Sequence, residues 1–98
     1  MRILLICAVG MSTSLLINKM KKVAHEEDYI EACAASELSR VIENFDIVLV
    51  GPQVRYKMKS IEEIANANGK KAALMDMKAY GEMNGAVIYK QAQELFKK

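Results

Sequence analysis

From Ile3 to Cys7 every position is apolar, the pattern of a strand covered on both faces. After Met11 the period changes. Leu15, Leu16, Met20, Val23 and Ala24 recur at helical spacing and are expected to face inward, while Asn18, Lys19, Lys21 and Lys22 fall largely on the opposite face. Strand followed by helix is the first unit. Tyr29–Ala34 reads as a short second strand, and Ser36 stands where it would cap a short helix through Glu43. Asp46–Val50 is a third strand, ended by Gly51-Pro52. Val54, Met58, Ile61 and Ala65 then repeat at helical spacing until Asn68-Gly69 stops the helix. Lys71–Met75 predicts a fourth strand. Asn84 is placed to cap a last helix that turns Val87, Ile88, Ala92, Leu95 and Phe96 inward.

Strands alternating with helices imply an α/β fold: a four-stranded parallel sheet with helices on both faces. Right-handed crossovers make that sheet an open, doubly wound one. Ligands in such sheets bind beyond the carboxyl ends of the strands, where the strand order reverses. With the first strand central, residues 7–14, CAVGMSTS, lie at that point.

A chain of 98 residues fits a single domain spanning 1–98, since one core usually occupies roughly 100–150 residues. With 52% hydrophobic and 27% charged residues, the composition is that of an ordinary globular protein. A net charge of +2 is too small to imply a nucleic-acid or acidic-membrane partner. Cys7 and Cys33 lie far apart in sequence and form no CxxC, and His25 is the single histidine. The complement for a structural zinc site is therefore missing, and neither a metal nor a cofactor is expected. Counting leaves a structural disulfide open, although a core of this composition does not need one, and a reducing, cytoplasmic setting is expected. The opening MRILLICAVG is shorter than the roughly 15–30 residues of a secretory signal. It is also too short to cross a bilayer, and no later stretch approaches the roughly 18 apolar residues a span requires.

The chemistry concentrates in CAVGMSTS. Backbone N–H groups of Ala8, Val9, Gly10, Met11, Ser12, Thr13 and Ser14 lead into a helix, whose first turn carries about half a unit of positive charge. The hydroxyls of Ser12, Thr13 and Ser14 add donors, and Gly10 permits a turn closed to most residues. That field is expected to depress the Cys7 pKa and favour the nucleophilic thiolate. A thiolate beside a phosphate-sized nest points to a phosphocysteine. Position and composition leave a buried structural cysteine and ordinary serine capping equally open. Cys33 ends an apolar strand with no donor-rich loop after it and reads as structural.

Other motifs fall away. No Gly-Lys-Ser/Thr follows Gly10 at Walker spacing, and there is no GxGxxG. His25-Glu26-Glu27-Asp28 lacks the second histidine of a zinc helix and is expected to close the first helix in solvent. Arg55, Lys57 and Lys59 follow the carboxyl end of the third strand, where they serve either solubility or an acidic partner.

Cys7-Ala8-Val9-Gly10-Met11-Ser12-Thr13-Ser14-Leu15-Leu16, together with the opening strand, resembles the phosphocysteine loop of the lactose/cellobiose-type IIB subunits of the sugar phosphotransferase system. The resemblance continues through Val48-Leu49-Val50-Gly51-Pro52-Gln53-Val54-Arg55-Tyr56 and returns at Asp76, Tyr80-Gly81 and Asn84-Gly85. It implies a cytoplasmic carrier that accepts a phosphoryl group on Cys7 from a phosphohistidine of the IIA subunit. The phosphocysteine would then donate to a cellobiose- or lactose-type disaccharide held by the membrane-embedded IIC subunit. Residues 8–14 would cradle the phosphoryl oxygens. Ala8 departs from the small hydroxyl residue common in the family, removing one side-chain donor and leaving the backbone cradle. The fold also resembles the low-molecular-weight tyrosine phosphatases, whose cysteine is followed by five residues and an arginine. Thr13 stands at that sixth position, so the guanidinium clamp is missing, and no acid for the leaving group is evident. A carrier is the reading the loop supports, with a thiol phosphatase or a non-catalytic anion-binding module as the alternatives.

Overall fold

The computed structural model describes residues 1–7 and 11–98, and of Met11 and Ser12 the backbone alone. Four strands, β1 (Arg2–Ile6), β2 (Tyr29–Cys33), β3 (Ile47–Val50) and β4 (Lys71–Leu74), form one sheet in the order β2-β1-β3-β4, with every pairing parallel. The α-helices are α1 (Met11–Lys21), α2 (Leu38–Val41), α3 (Met58–Ala67), α4 (Met77–Gly81) and α5 (Gly85–Lys97). Because β2 lies on one side of β1 and β3 on the other, the chain reverses direction across the sheet at the β1/β3 boundary. Cys7 directly follows β1 there.

Alternation along the strands divides the core into two layers. Ile3, Leu5, Cys7, Ile47 and Leu49 pack with Leu16 and Met20 of α1 and Ile88, Tyr89 and Ala92 of α5. Leu4, Ile6, Val48 and Val50 pack on the other face with Leu38, Ile42, Val54 and Ile61. The central strands are buried throughout except for Arg2 at the start of β1, and the edge strands only partly, which is why β1 and β3 were the most legible runs. The side chains of Cys7 and Cys33 belong to opposite layers, and both thiols are free.

Several expectations from periodicity need correction. Leu15, Val23, Val87 and Phe96 are exposed, since the apolar stripe on each helix is narrower than the spacing implied. Helix α1 ends at Lys21, before Val23 and Ala24. Ser36 caps nothing: it lies within a 3₁₀ turn, Ala35–Glu37, that enters α2 with Ala34 at its N-cap position. The helix expected from Val54 starts as a 3₁₀ segment, Pro52–Lys57, with Val54 out of helical geometry, and becomes α-helical at Met58. The short α4 was not expected. Asp76 starts it, its Oδ1 accepting from the Ala79 N–H at 2.9 Å.

Other signals hold. Asn84 Oδ1 accepts from the Val87 N–H at 3.2 Å as the α5 cap, and Gly69 takes φ +70° just after α3. His25, Glu26 and Glu27 are exposed as expected, but none of them closes the first helix, since α1 ends at Lys21 and Asp28 immediately precedes β2. Its carboxylate receives the Met1 ammonium at 3.0 Å and the Tyr89 hydroxyl of α5.

Candidate functional site

Cys7 is held where three strands end together. Its N–H donates to the Cys33 carbonyl at 3.3 Å, and the Gly51 N–H donates to the Ile6 carbonyl at 2.7 Å. The residue is only 2% exposed. From the other side the first turn of α1 brings Thr13, itself 7% exposed, with a hydroxyl that has no hydrogen-bond partner of ordinary geometry among the described residues. Buried polar atoms are nearly always paired, and among the described residues the group that this hydroxyl acts on is the Cys7 thiol. Cys7, Thr13 and the exposed Ser14 line one cavity of about 320 Å³ with Ile17, Ile30 and the end of β2. Ala8, Val9 and Gly10, the rest of the expected cradle, lie outside the described residues, as do the side chains of Met11 and Ser12.

The electrostatics differ from expectation. Burial of the sulfur pushes the Cys7 pKa above that of an ordinary thiol, and the Thr13 hydroxyl pulls it back only in part. Helix-start chemistry had pointed to a depressed value; desolvation outweighs it because among the described residues no cation acts on the sulfur. Cys33 is also raised, first by burial and then by Glu31. Alkylation of Cys7 by iodoacetamide in the isolated protein should therefore follow a pH profile displaced upward from that of a free thiol. A profile displaced downward would show that the thiolate is stabilised at rest. The sign for stability follows from the same shift. The folded state holds its proton more tightly, so this contribution is complete below the unfolded thiol pKa and is lost as pH rises through the folded one.

Sequence reasoning assigned Gly51 to the end of a strand, but the structure sets it against the sulfur. A Cβ on Gly51 would stand 3.2 Å from the Ile6 carbonyl oxygen, 3.3 Å from Gln53 Oε1 and 3.5 Å from Cys7 Sγ. Its φ is −68°, so the requirement is for space and not for a left-handed turn. Gln53 Nε2 in turn donates to the Tyr80 hydroxyl at 2.8 Å, joining the segment after β3 to α4. Gly51, Gln53 and Tyr80 were missed as site residues. The signal that could have found them is that all three fall in the second and third stretches of family resemblance.

Arg55 and Lys57 are exposed. Arg55 shares a shallow depression of about 470 Å³ with Pro52, Gln53, Tyr56, Met77 and Tyr80, its Nη1 3.9 Å from Met77 Sδ. Lys57 lies beyond that lining, its ammonium 5.8 Å from the centre of the Tyr56 ring and within cation–π range.

A parallel doubly wound sheet with a buried thiol at its switch point, facing the start of a helix, defines the class of small thiol-bearing α/β domains that includes phosphocysteine carriers and small phosphatases. Within that class the chain is placed by comparison: residues 2–91 match the model of the family described as PTS system, Lactose/Cellobiose specific IIB subunit. The chain belongs to this family and has its activity, phosphoryl transfer in sugar uptake. It is 37% identical over 97 residues to the oligo-beta-mannoside-specific EIIB component of Bacillus subtilis, covering 96% of this chain and 94% of that one. To the cellobiose-specific EIIB component of Lactococcus lactis it is 34% identical over 101 residues, covering 95% and 94%. The solution structure of a cellobiose-specific phosphotransferase IIB component from Borrelia burgdorferi superposes with a TM-score of 0.81 at 39% identity, covering 99% of this chain and 92% of that one. The lactose-specific IIB domain from Streptococcus pneumoniae gives 0.82 at 15% identity over 97% and 96%, a likeness of fold. No helix among the described residues is long and apolar enough to cross a membrane.

Proposed function

We propose that the chain acts as a single IIB domain whose Cys7 carries the phosphoryl group between a IIA phosphohistidine and a sugar. In the loading step Cys7 loses its proton and the sulfur attacks phosphorus. The N–P bond breaks, its electron pair stays on the imidazole of IIA, and an S–P bond forms. In the discharge step a sugar hydroxyl oxygen attacks the same phosphorus and gives up its proton. The S–P bond then breaks, with its electrons returning to sulfur. The sugar is a cellobiose- or lactose-type disaccharide held by the membrane subunit IIC, through which this protein meets the cytoplasmic face of the membrane. Residues 8–14 form the cradle.

The observation that carries this reading is the position of the Cys7 sulfur. It is buried at the carboxyl end of the central strand, beside the buried hydroxyl of Thr13 at the start of α1. The absence of arginine at Thr13 argues against a phosphatase. Incubation with phosphorylated IIA should raise the intact mass by one phosphoryl group, and addition of IIC membranes with sugar should remove it. No mass gain, or turnover of an aryl phosphate ester in its place, would overturn the proposal.

Arg55 and Lys57 belong to the docking face in this reading. Beside them Tyr56 is 76% exposed and Met77 54%, an apolar centre rimmed by positive charge that suits an acidic partner surface. Arg55→Glu with Lys57→Glu should slow loading from IIA about tenfold at low salt while changing stability by only about half a kcal/mol. Stopped-flow transfer at two ionic strengths checks this, and unchanged loading at low salt would reduce both residues to a solvated surface.

A further inference from the structure

Met77 stands in the apolar centre of the face assigned to IIA, and its sulfur is open to chemistry that the other described methionines escape. Among the described side chains it is the one exposed methionine, at 54%, whereas Met20 and Met75 are buried and Met1, Met58 and Met83 half-buried. The fold fixes where that sulfur sits. Asp76 caps α4, and Gln91 of α5 grips the turn before it, Nε2 donating to the Leu74 carbonyl at 2.6 Å and Oε1 accepting from the Asp76 N–H at 3.0 Å. Met77 Sδ thereby lies 3.9 Å from Arg55 Nη1. A thioether is only a weak acceptor, so the reduced side chain leaves the guanidinium able to meet an acidic partner.

Oxidation would change both features of this face. A peroxide gives up one oxygen atom: a sulfur lone pair attacks it, the O–O bond breaks, the thioether is oxidised to the sulfoxide and the peroxide is reduced to water. We propose that Met77 is a reversible oxidation site and that its sulfoxide closes the docking face to IIA. The inference rests on the reading of the Arg55–Lys57 face as the one that meets IIA. An oxygen added on the side of Sδ that faces Arg55 comes within hydrogen-bond distance of the guanidinium. The sulfoxide oxygen can only accept and the guanidinium can only donate, so the bond between them runs one way and ties Arg55 down. The apolar centre also becomes polar, and a docking partner would have to desolvate it. Cys7 escapes the same oxidant, because peroxide attacks thiolates, while this sulfur is buried and holds its proton. Docking is lost while the carrier sulfur survives, and methionine sulfoxide reductases restore the face.

The protein would be treated with hydrogen peroxide at mildly acidic pH, where both thiols are protonated, and the added oxygen located by peptide mass. Met77 should be converted first. Loading from phosphorylated IIA would then be followed across IIA concentrations. The concentration giving half the maximal rate should rise about tenfold, with the rate at saturating IIA retained, since docking and not chemistry is affected. Methionine sulfoxide reductases should return it to the untreated value. In Met77→Leu, whatever its own level of loading, peroxide should lower loading no further. Earlier oxidation of another residue, a fall in the saturating rate in place of the shift, or equal sensitivity in Met77→Leu overturns the inference. Unchanged loading by the Met77 sulfoxide also overturns it; if Arg55→Glu with Lys57→Glu loads normally as well, the docking-face reading is what has failed.

Discussion

Cys7→Ser is expected to abolish phosphoryl acceptance, with loading slowed at least about a thousandfold, while Cys33→Ser loads within about twofold of the parent. A hydroxyl at this site is a far weaker nucleophile than a thiolate, and it is not deprotonated near neutral pH. Cys33 stands close in space, with its carbonyl accepting from the Cys7 N–H, yet its side chain belongs to the opposite layer of the core. Parallel loading assays on the two variants check this. Retained loading in Cys7→Ser, or loss confined to Cys33→Ser, would move the acceptor elsewhere. Any phosphoserine formed slowly in the first variant is recognised by its stability to conditions that cleave a thiophosphate ester.

The second large effect is on folding. Gly85→Ala should cost about 3 kcal/mol, at the upper end of what overpacking usually removes. A Cβ there would lie 2.6 Å from Lys19 C and Met20 N and 2.7 Å from Lys19 Cβ. Two of these are backbone atoms of α1, which cannot rotate away, so α5 would have to lift from α1. Because small domains are stable by roughly 5–15 kcal/mol, urea denaturation would show the loss plainly. Gly81→Ala is the control: nothing lies within 4 Å of its added Cβ, and its midpoint should match the parent. Equal midpoints for Gly85→Ala and the parent would show that the α1–α5 approach is looser than described.

Legibility in the sequence follows burial. The runs at Ile3–Ile6 and Ile47–Val50 could be read directly because both faces of β1 and β3 are covered, which leaves no polar position to interrupt them. Asn84 was legible because capping is local chemistry within three residues. What failed was whatever depends on partners distant in the chain. Phe96 and Leu15 sit at helical spacing but outside the narrow stripe each helix buries. Five-residue α4 is too short to show a period. Asp28 reads as a solvated acid until Tyr89, 61 residues later, comes to meet it.

The site divides the same way. Cys7 and Thr13 are six residues apart, and a strand-to-helix reading was enough to join them. Gly51 looked like a turn because its actual neighbour, the sulfur, lies 44 positions earlier, and the Gln53–Tyr80 bond spans 27. The thiol pKa was misjudged for a related reason. A helix start can be read from residue types, whereas the desolvation that outweighs it depends on how completely three strand ends and α1 close around the sulfur.

Localisation of the label would show whether the Cys7 sulfur itself carries the phosphoryl group. The native protein would be loaded from phosphorylated IIA, trapped, digested and fragmented by a method that preserves the labile S–P bond. The phosphoryl group is expected on Cys7 and not on Ser12, Thr13 or Ser14. A label on one of those hydroxyls, on Cys33 or on His25 would contradict it.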